Sequence, residues 1–290
     1  KVLQFETPNI TTAGAWRTGN NANTARNSLA GTGTQVSAIM FGGFYNPPAT
    51  RYAQTESYNG LTWTEVADLN QSRNALGGSG SSNTSGLAIG GYDGSSHTAK
   101  VETWDGSSWT EVGDLNTSRA NNSGAGTATS SITFGGYTSG YVGVAESWNG
   151  SSWTEVGDLN DARAYIGGTG DSNTAALAYG GDSPGNTANT EQWNGSSWTE
   201  VNNLNTARNG MGIGRTGSYT DCLCFGGSTG SVVGINEQWN GSSWTEVADL
   251  ATVNEGSGAA GDTTAGLNAL GRSSSSSYLT VAEEWQGAGA

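Results

Sequence analysis

The chain has 290 residues, of which 47 are Gly and only 12% are charged, and 11 Lys+Arg against 25 Asp+Glu leave a net charge of −14. So acidic a chain lacks the basic face that a phosphate backbone requires, which excludes nucleic acid as a partner, and it is repelled by anionic membrane surfaces. No apolar run approaches the length of a membrane-spanning helix, and no membrane insertion is expected.

Taken in order, the chain opens on Lys1 to Glu6, which form no signal peptide; without an initial Met, it reads as a processed form or a fragment of a longer protein. Trp16 and Arg26 follow, ten positions apart. A short apolar run ends in Gly42-Gly43, and after a longer insertion come Glu56, Tyr58, Trp63 and Arg73. From here one phrase repeats. Its Glu falls at Glu56, Glu102, Glu146, Glu191, Glu237 and Glu283, at intervals of 46, 44, 45, 46 and 46. An aromatic stands two residues on, at Tyr58, Trp104, Trp148, Trp193, Trp239 and Trp285. A second Trp follows at Trp63, Trp109, Trp153, Trp198 and Trp244. Ten residues after that comes Arg73, Arg119, Arg163 or Arg208, with Asn254 as the exception. Gly pairs close the apolar runs at Gly42-Gly43, Gly90-Gly91, Gly135-Gly136, Gly180-Gly181 and Gly226-Gly227, and the sixth reads as degraded to Gly271-Arg272.

Each copy predicts four strands. Strand a follows the Arg, strand b ends in the Gly pair, strand c carries Glu-x-Trp, and strand d carries Trp-Thr-Glu-Val. Strand b alternates bulky and small residues with period 2, which suits sheets stacked face to face. Asn-Gly or Asp-Gly between strands c and d predicts a type I′ hairpin, whose two central residues need positive φ. Trp16 is a spare second Trp at the start, while the chain stops just after Trp285, where a second Trp is due. The N-terminal strand near Trp16 is therefore expected to join the C-terminal blade near Trp285. The expected fold is all-β: one domain, residues 1–290, forming a six-bladed β-propeller with four antiparallel strands per blade and no open sheet edge at the seam.

The order Gly-Gly, Glu-x-Tyr/Trp-Asn/Asp, Trp, then Arg ten residues on is similar to the kelch repeat and covers nearly the whole chain. The resemblance implies a kelch-like propeller. Trp in most Tyr positions, Asn254 and the lost Gly pair are departures. The wording Trp-Asn-Gly-Ser-Ser-Trp-Thr-Glu also resembles kelch-type proteins encoded by marine phages and environmental bacteria.

All 11 Trp occupy the two repeating positions, so packing between blades explains them. The repeated Glu and Arg are expected to pair or to clamp backbone, since Arg offers several donors in a fixed fork; the alternative is a ring of Arg that binds an acidic ligand. Glu65, Glu111, Glu155, Glu200 and Glu246 are expected to form a solvated rim. His97, the only histidine, excludes a His-rich copper or zinc site, and with it the oxidase chemistry of some kelch-type propellers. In its Ser-rich loop it reads as a loop residue, not the base of a triad. Cys222 and Cys224 read as small core fillers. Asp93, Asp171 and Asp182 could meet calcium, but no Asp-x-Asp-x-Asp-Gly pattern supports it. No metal or cofactor is expected.

Function should lie in what does not repeat. The b–c connections run 13, 11, 10, 10 and 10 residues from the second Gly to the Glu, and 11 from Arg272. The first holds Tyr45, Asn46, Pro47, Pro48, Arg51 and Tyr52; the second Tyr92, Asp93, His97 and Lys100; the third Tyr137 and Tyr141. Tyr, Arg and Asn suit contacts, and Arg51 with Lys100 would relieve the overall negative charge. The expectation is a non-enzymatic recognition or adhesion module outside the cell or on a virion surface, a setting the Ser-, Thr-, Asn- and Gly-rich composition suits. It would bind a surface carbohydrate or protein through this loop face. Two other readings stand beside it. One is a polysaccharide lyase or hydrolase at the channel mouth, using Arg215, Tyr219 and Asp221. The other is a decoration subunit packing against other copies or subunits of a larger particle.

Overall fold

Six small antiparallel sheets form the ring in a computed structural model, which describes residues 14–288. Blade 1 is built from Ala30–Thr34, Ser37–Phe41, Thr55–Tyr58 and Trp63–Val66. The next three follow the same order: blade 2 from Gly77–Ser82 to Trp109–Glu111, blade 3 from Ser123–Thr127 to Trp153–Val156, and blade 4 from Gly167–Ser172 to Trp198–Val201. Blade 5 keeps strands b to d at Cys222–Phe225, Asn236–Trp239 and Trp244–Val247. Blade 6 takes Gly258–Gly261, Ala265–Ala269 and Ala282–Gln286 from the end of the chain and Ala15–Thr18 from its start. The expected closure holds, with Trp16 opposite Trp285 in register.

The repeating side chains make the interior. Trp63, Trp109, Trp153, Trp198 and Trp244 are each under a tenth exposed. Three of the second-Trp rings meet the strand-b aromatic of the preceding blade, Trp109 on Phe41, Trp198 on Phe134 and Trp244 on Tyr179, with centroids 4.9–5.2 Å apart. Trp16 continues the series against Phe225 at 5.0 Å. Edge-to-face packing of this kind adds to the area each indole buries. The repeated Arg and Glu also meet: Arg26–Glu56, Arg73–Glu102, Arg119–Glu146, Arg163–Glu191 and Arg208–Glu237 are ion pairs, and all five guanidinium groups are fully buried. A ring of Arg open to an acidic ligand is thereby ruled out. Each buried Glu also accepts from backbone amides of the preceding d–a connection, so the pair fastens one blade to the next. The strand-d Glu side chains do form an exposed rim.

Three local expectations are corrected. The c–d connection is a four-residue loop, not a type I′ turn: Trp148 pairs with Trp153, and only Gly150 has positive φ. Asn149 closes it by accepting from the Ser151 and Ser152 amides, so the Asn acts through its side chain. The sixth Gly pair is Leu270-Gly271, not Gly271-Arg272. The first Gly of each intact pair has φ of 61–67°, and Leu270 adopts 66° in the same place. Blade 5, finally, has no regular strand a. Arg208 and Gly226 are 18 positions apart, against 16 or 17 in blades 1 to 4. The extra length carries Ile213-Gly214 across the axis, where it pairs parallel with Gly258-Ala259 and lies against the inner strands of blades 1 to 4. A Cβ on Gly214 would sit 2.1 Å from the Ala259 carbonyl oxygen, so only Gly fits the crossing.

At the mouth of the axis the six blades are joined directly. Ser28, Ala75, Asn121, Tyr165, Gly210 and Gly256 share a left-handed φ of 52–64°. Each donates its N–H to the carbonyl of the equivalent residue in the preceding blade, and Ser28 donates to Gly256, closing a ring of six hydrogen bonds of 2.7–3.0 Å.

Candidate binding face

The d–a and b–c connections emerge on one face because bridges tie them together: Asn27 to Phe44, Asn74 to Tyr92, Ala120 to Tyr137, Ala164 to Asp182, Asn209 to Ser228 and Glu255 to Arg272. Above the hydrogen-bonded ring this face holds an open basin of about 420 Å³. Ser28, Ala75, Asn121 and Tyr165 line it close to the axis, Phe44, Tyr92, His97, Tyr137 and Arg272 form its wall, and Asn27 and Asn74 supply amides. A smaller apolar recess of about 40 Å³ continues inward among Leu29, Leu76, Met211 and Ile213.

The wall is chemically one-sided. From blade 6 through blade 3 the aromatics form a chain: Tyr278 on Tyr45 at 4.7 Å, Tyr92 on His97 at 5.6 Å, His97 on Tyr137 at 5.9 Å, and Tyr137 on Tyr141 at 5.6 Å. Arg51 bridges the gap between Phe44 and Tyr92, its guanidinium 5.3 and 4.8 Å from their ring centres, where the negative ring faces stabilise the cation. Beyond the basin, on blades 4 and 5, the same face is polar. Asn209 donates to Asn186, and Asn186 donates to the Ser228 carbonyl. Tyr141 ends the aromatic arc by donating to Asp182 at 2.6 Å, and that bond pushes its phenol up to about 12. The phenol therefore stays protonated and serves as a fixed wall, not as a base.

Several expected site residues come together, and others do not. Tyr92, His97 and Tyr137 line the basin, with Tyr141 beside them. In the hairpin of Phe44–Tyr45 with Thr50–Arg51, Tyr45 meets blade 6 while Arg51 meets blade 2, so these two residues do not form one anchor. Asn46 is exposed at the hairpin tip, and Tyr52 is half-buried where its amide bonds Gly43. Asp93 closes its own loop by accepting from the Ser95 and Ser96 amides, which lowers its carboxyl below the usual range. Lys100 is not in the basin lining; it pairs with Glu111 on the outermost strand at 2.7 Å. Phe44, Tyr165 and Arg272, together with the amides of Asn27, Asn74 and Asn121, are members that sequence reasoning did not place. Tyr165 had a signal, being the one aromatic two residues after a repeated Arg or its Asn254 counterpart. Arg272 was hidden by the misplaced Gly pair, and it is bonded to Glu255 at 2.7 Å.

The residues of the enzymatic alternative lie elsewhere. Arg215 pairs with Asp171, and Asp221 accepts from Thr263, at the a–b turns on the opposite face. Among the described residues, no group of three or more His, Cys, Asp or Glu is placed to hold a metal ion. A scan against protein-family models finds no match to this chain, and no curated protein matches it either.

Proposed function

We propose that this chain is a kelch-type propeller acting as a non-enzymatic recognition or adhesion module, outside the cell or on a virion surface, and that it holds a carbohydrate in the basin over the axis. The observation that carries this reading is that aromatic rings, Phe44, Tyr92, His97 and Tyr137, and the amides of Asn27, Asn74 and Asn121 line one basin together. A sugar ring has apolar C–H faces that lie on aromatic rings and hydroxyls at its edge that bond amides and Arg. A concave site with a few convergent polar groups suits a small hydroxyl-rich ligand better than a flat protein surface. The side chains facing the basin are neutral or cationic, so a hydroxyl-rich or anionic sugar escapes the repulsion of the −14 chain.

The test is a Tyr92→Ala/Tyr137→Ala variant, melted beside the parent chain and assayed on a glycan array and on intact cells. A retained melt with binding lost tenfold or more is expected, since aromatic anchors commonly cost about 2 kcal/mol when truncated. A Tyr45/Arg51/Tyr52 triple Ala variant is expected to fold and to lose attachment too, through Arg51. Unchanged binding in both variants moves the site off this face.

A further inference from the structure

Blade 6 departs from the others at its most buried point. In blades 1 to 5 the buried Glu is surrounded by donors: the repeated Arg, an Asn amide and backbone N–H groups. Blade 6 keeps the Glu, as Glu283, only 2% exposed. It has Asn254 where the Arg stands elsewhere and Ala251 where the Asn stands. Glu283 retains the Ala251 and Thr252 amides at 2.8 and 2.9 Å, and no cationic side chain reaches it among the described residues.

The rest of the arginine's surroundings persists. In blade 1 the Arg26 guanidinium donates to the carbonyls of Gly42, Thr24 and Met40, and in blade 5 Arg208 donates to those of Gly226, Thr206 and Cys224. The equivalent carbonyls in blade 6 are Leu270, Thr252 and Asn268. Asn254 reproduces only the first of these bonds, donating to Leu270 at 2.6 Å. Its carboxamide is neutral and brings no charge to Glu283. The residue opposite the Glu in register is Met40, Ala88, Thr133, Ala178 or Cys224 in the other blades, but Asn268 here. Asn268 is fully buried with neither amide atom hydrogen-bonded, and the Asn254 Oδ1 is likewise buried without a partner.

We propose that blade 6 binds a small monovalent cation, Na+ or K+, between Glu283, Asn254 and Asn268, in the place an arginine side chain takes in the other five blades. A buried carboxylate needs a compensating charge, and a buried amide oxygen needs a partner. One carboxylate with amide and carbonyl oxygens around it is a hard-oxygen set of charge −1, which a monovalent ion neutralises and a divalent ion overcompensates. Water would satisfy the amides but leave the charge unbalanced.

The experiment follows the thermal midpoint of the full chain in NaCl, KCl and tetramethylammonium chloride at equal ionic strength. An ion bound only by the folded state raises the midpoint by mass action, so NaCl or KCl should exceed tetramethylammonium by several degrees, saturably. The double variant Asn254→Arg/Asn268→Ala rebuilds the arrangement of blades 2 and 4 and should respond equally to all three salts. Glu283→Gln, which keeps the shape, should lose the response on its own and decides the matter if the double variant does not fold. Identical midpoints of the parent chain in all three salts overturn the proposal, as does a response that survives Glu283→Gln.

Discussion

Trp16 stands opposite Trp285 in the outer strand pair of blade 6, their rings 5.6 Å apart, and its other side meets Phe225 of blade 5 at 5.0 Å. One residue on, Arg17 bonds Glu284 at 2.8 Å, and Glu284 also accepts from Tyr58 of blade 1. The start of the chain thus ties together three blades. A chain beginning at Asn20 should lose several kcal/mol or aggregate through the exposed edge of Ala282–Gln286, as read by thermal melting and light scattering. An unaltered melt would mean that the ring does not depend on this strand.

Trp153 is 6% exposed, sits 5.3 Å from Trp148, and belongs to a cluster with Leu87, Ile89 and Val101 of the preceding blade. Trp153→Ala should cost about 3–5 kcal/mol in a urea titration, with or without ligand. A variant of parental stability that no longer binds would reassign this side chain from packing to recognition.

Tyr165 is the one ring position where a large side chain is held at positive φ, 52°, while staying 44% exposed. Gly already serves at Gly210 and Gly256, so Tyr165→Gly should leave stability unchanged or raised by up to about 1 kcal/mol. It should nevertheless weaken carbohydrate binding, because Tyr165 lines the basin. Calorimetry beside a binding titration checks both halves, and binding equal to the parent's removes Tyr165 from the site.

Acid should act differently on one turn. Asp105 replaces the Asn of the other c–d loops, and the Ser108 amide, followed by the Ser107 hydroxyl and amide, lowers its carboxyl from 3.8 to about 2. A depressed carboxylate contributes stability that is present above its unfolded value and lost as pH falls toward its folded one. The advantage of the parent over Asp105→Asn should therefore hold near neutrality and fade between about pH 4 and about pH 2. Denaturation midpoints of both chains across that range measure it, and a constant gap would mean that the turn contributes nothing through charge.

Burial raises both thiols, Cys224 to about 11 and Cys222 as well, and neither is in a disulfide. An aromatic disulfide reagent near pH 8 should therefore find no reactive thiol in the folded chain and two after unfolding. Rapid labelling without unfolding would show that the strand Cys222–Phe225 opens.

The Trp, Glu and Arg positions were legible because each repeats a side chain whose packing partner also repeats, so spacing alone places Trp109 on blade 1 or Arg163 beside Glu191. The ring at the axis repeats a backbone conformation instead. Ser, Ala, Asn, Tyr and Gly share no chemistry, and only their fixed offset from the Arg position marks them. Leu270 was missed because a branched side chain at positive φ breaks the rule that points to Gly. Arg51 and Lys100 looked like one cationic patch, yet the Phe44–Arg51 hairpin turns the first inward while the outermost strand captures the second. Nothing periodic announced that Ile213 would cross the axis; the signal was a count, one or two residues more than the other blades have.

The six hydrogen bonds at the mouth have one further consequence. They run head to tail around a closed circle, each peptide dipole following the next. Vectors laid tangentially around a circle sum to zero, whereas the same dipoles stacked along a helix add to about half a charge at each end. The tangential parts of these dipoles therefore cancel, the ring carries no end charge of the helical kind, and the charge preference of the mouth is left to the side chains mounted on it. Four of those six positions carry a side chain and two carry none, on the same scaffold in every blade. Exchanging them retunes what the mouth prefers without disturbing the bonds that hold the blades together.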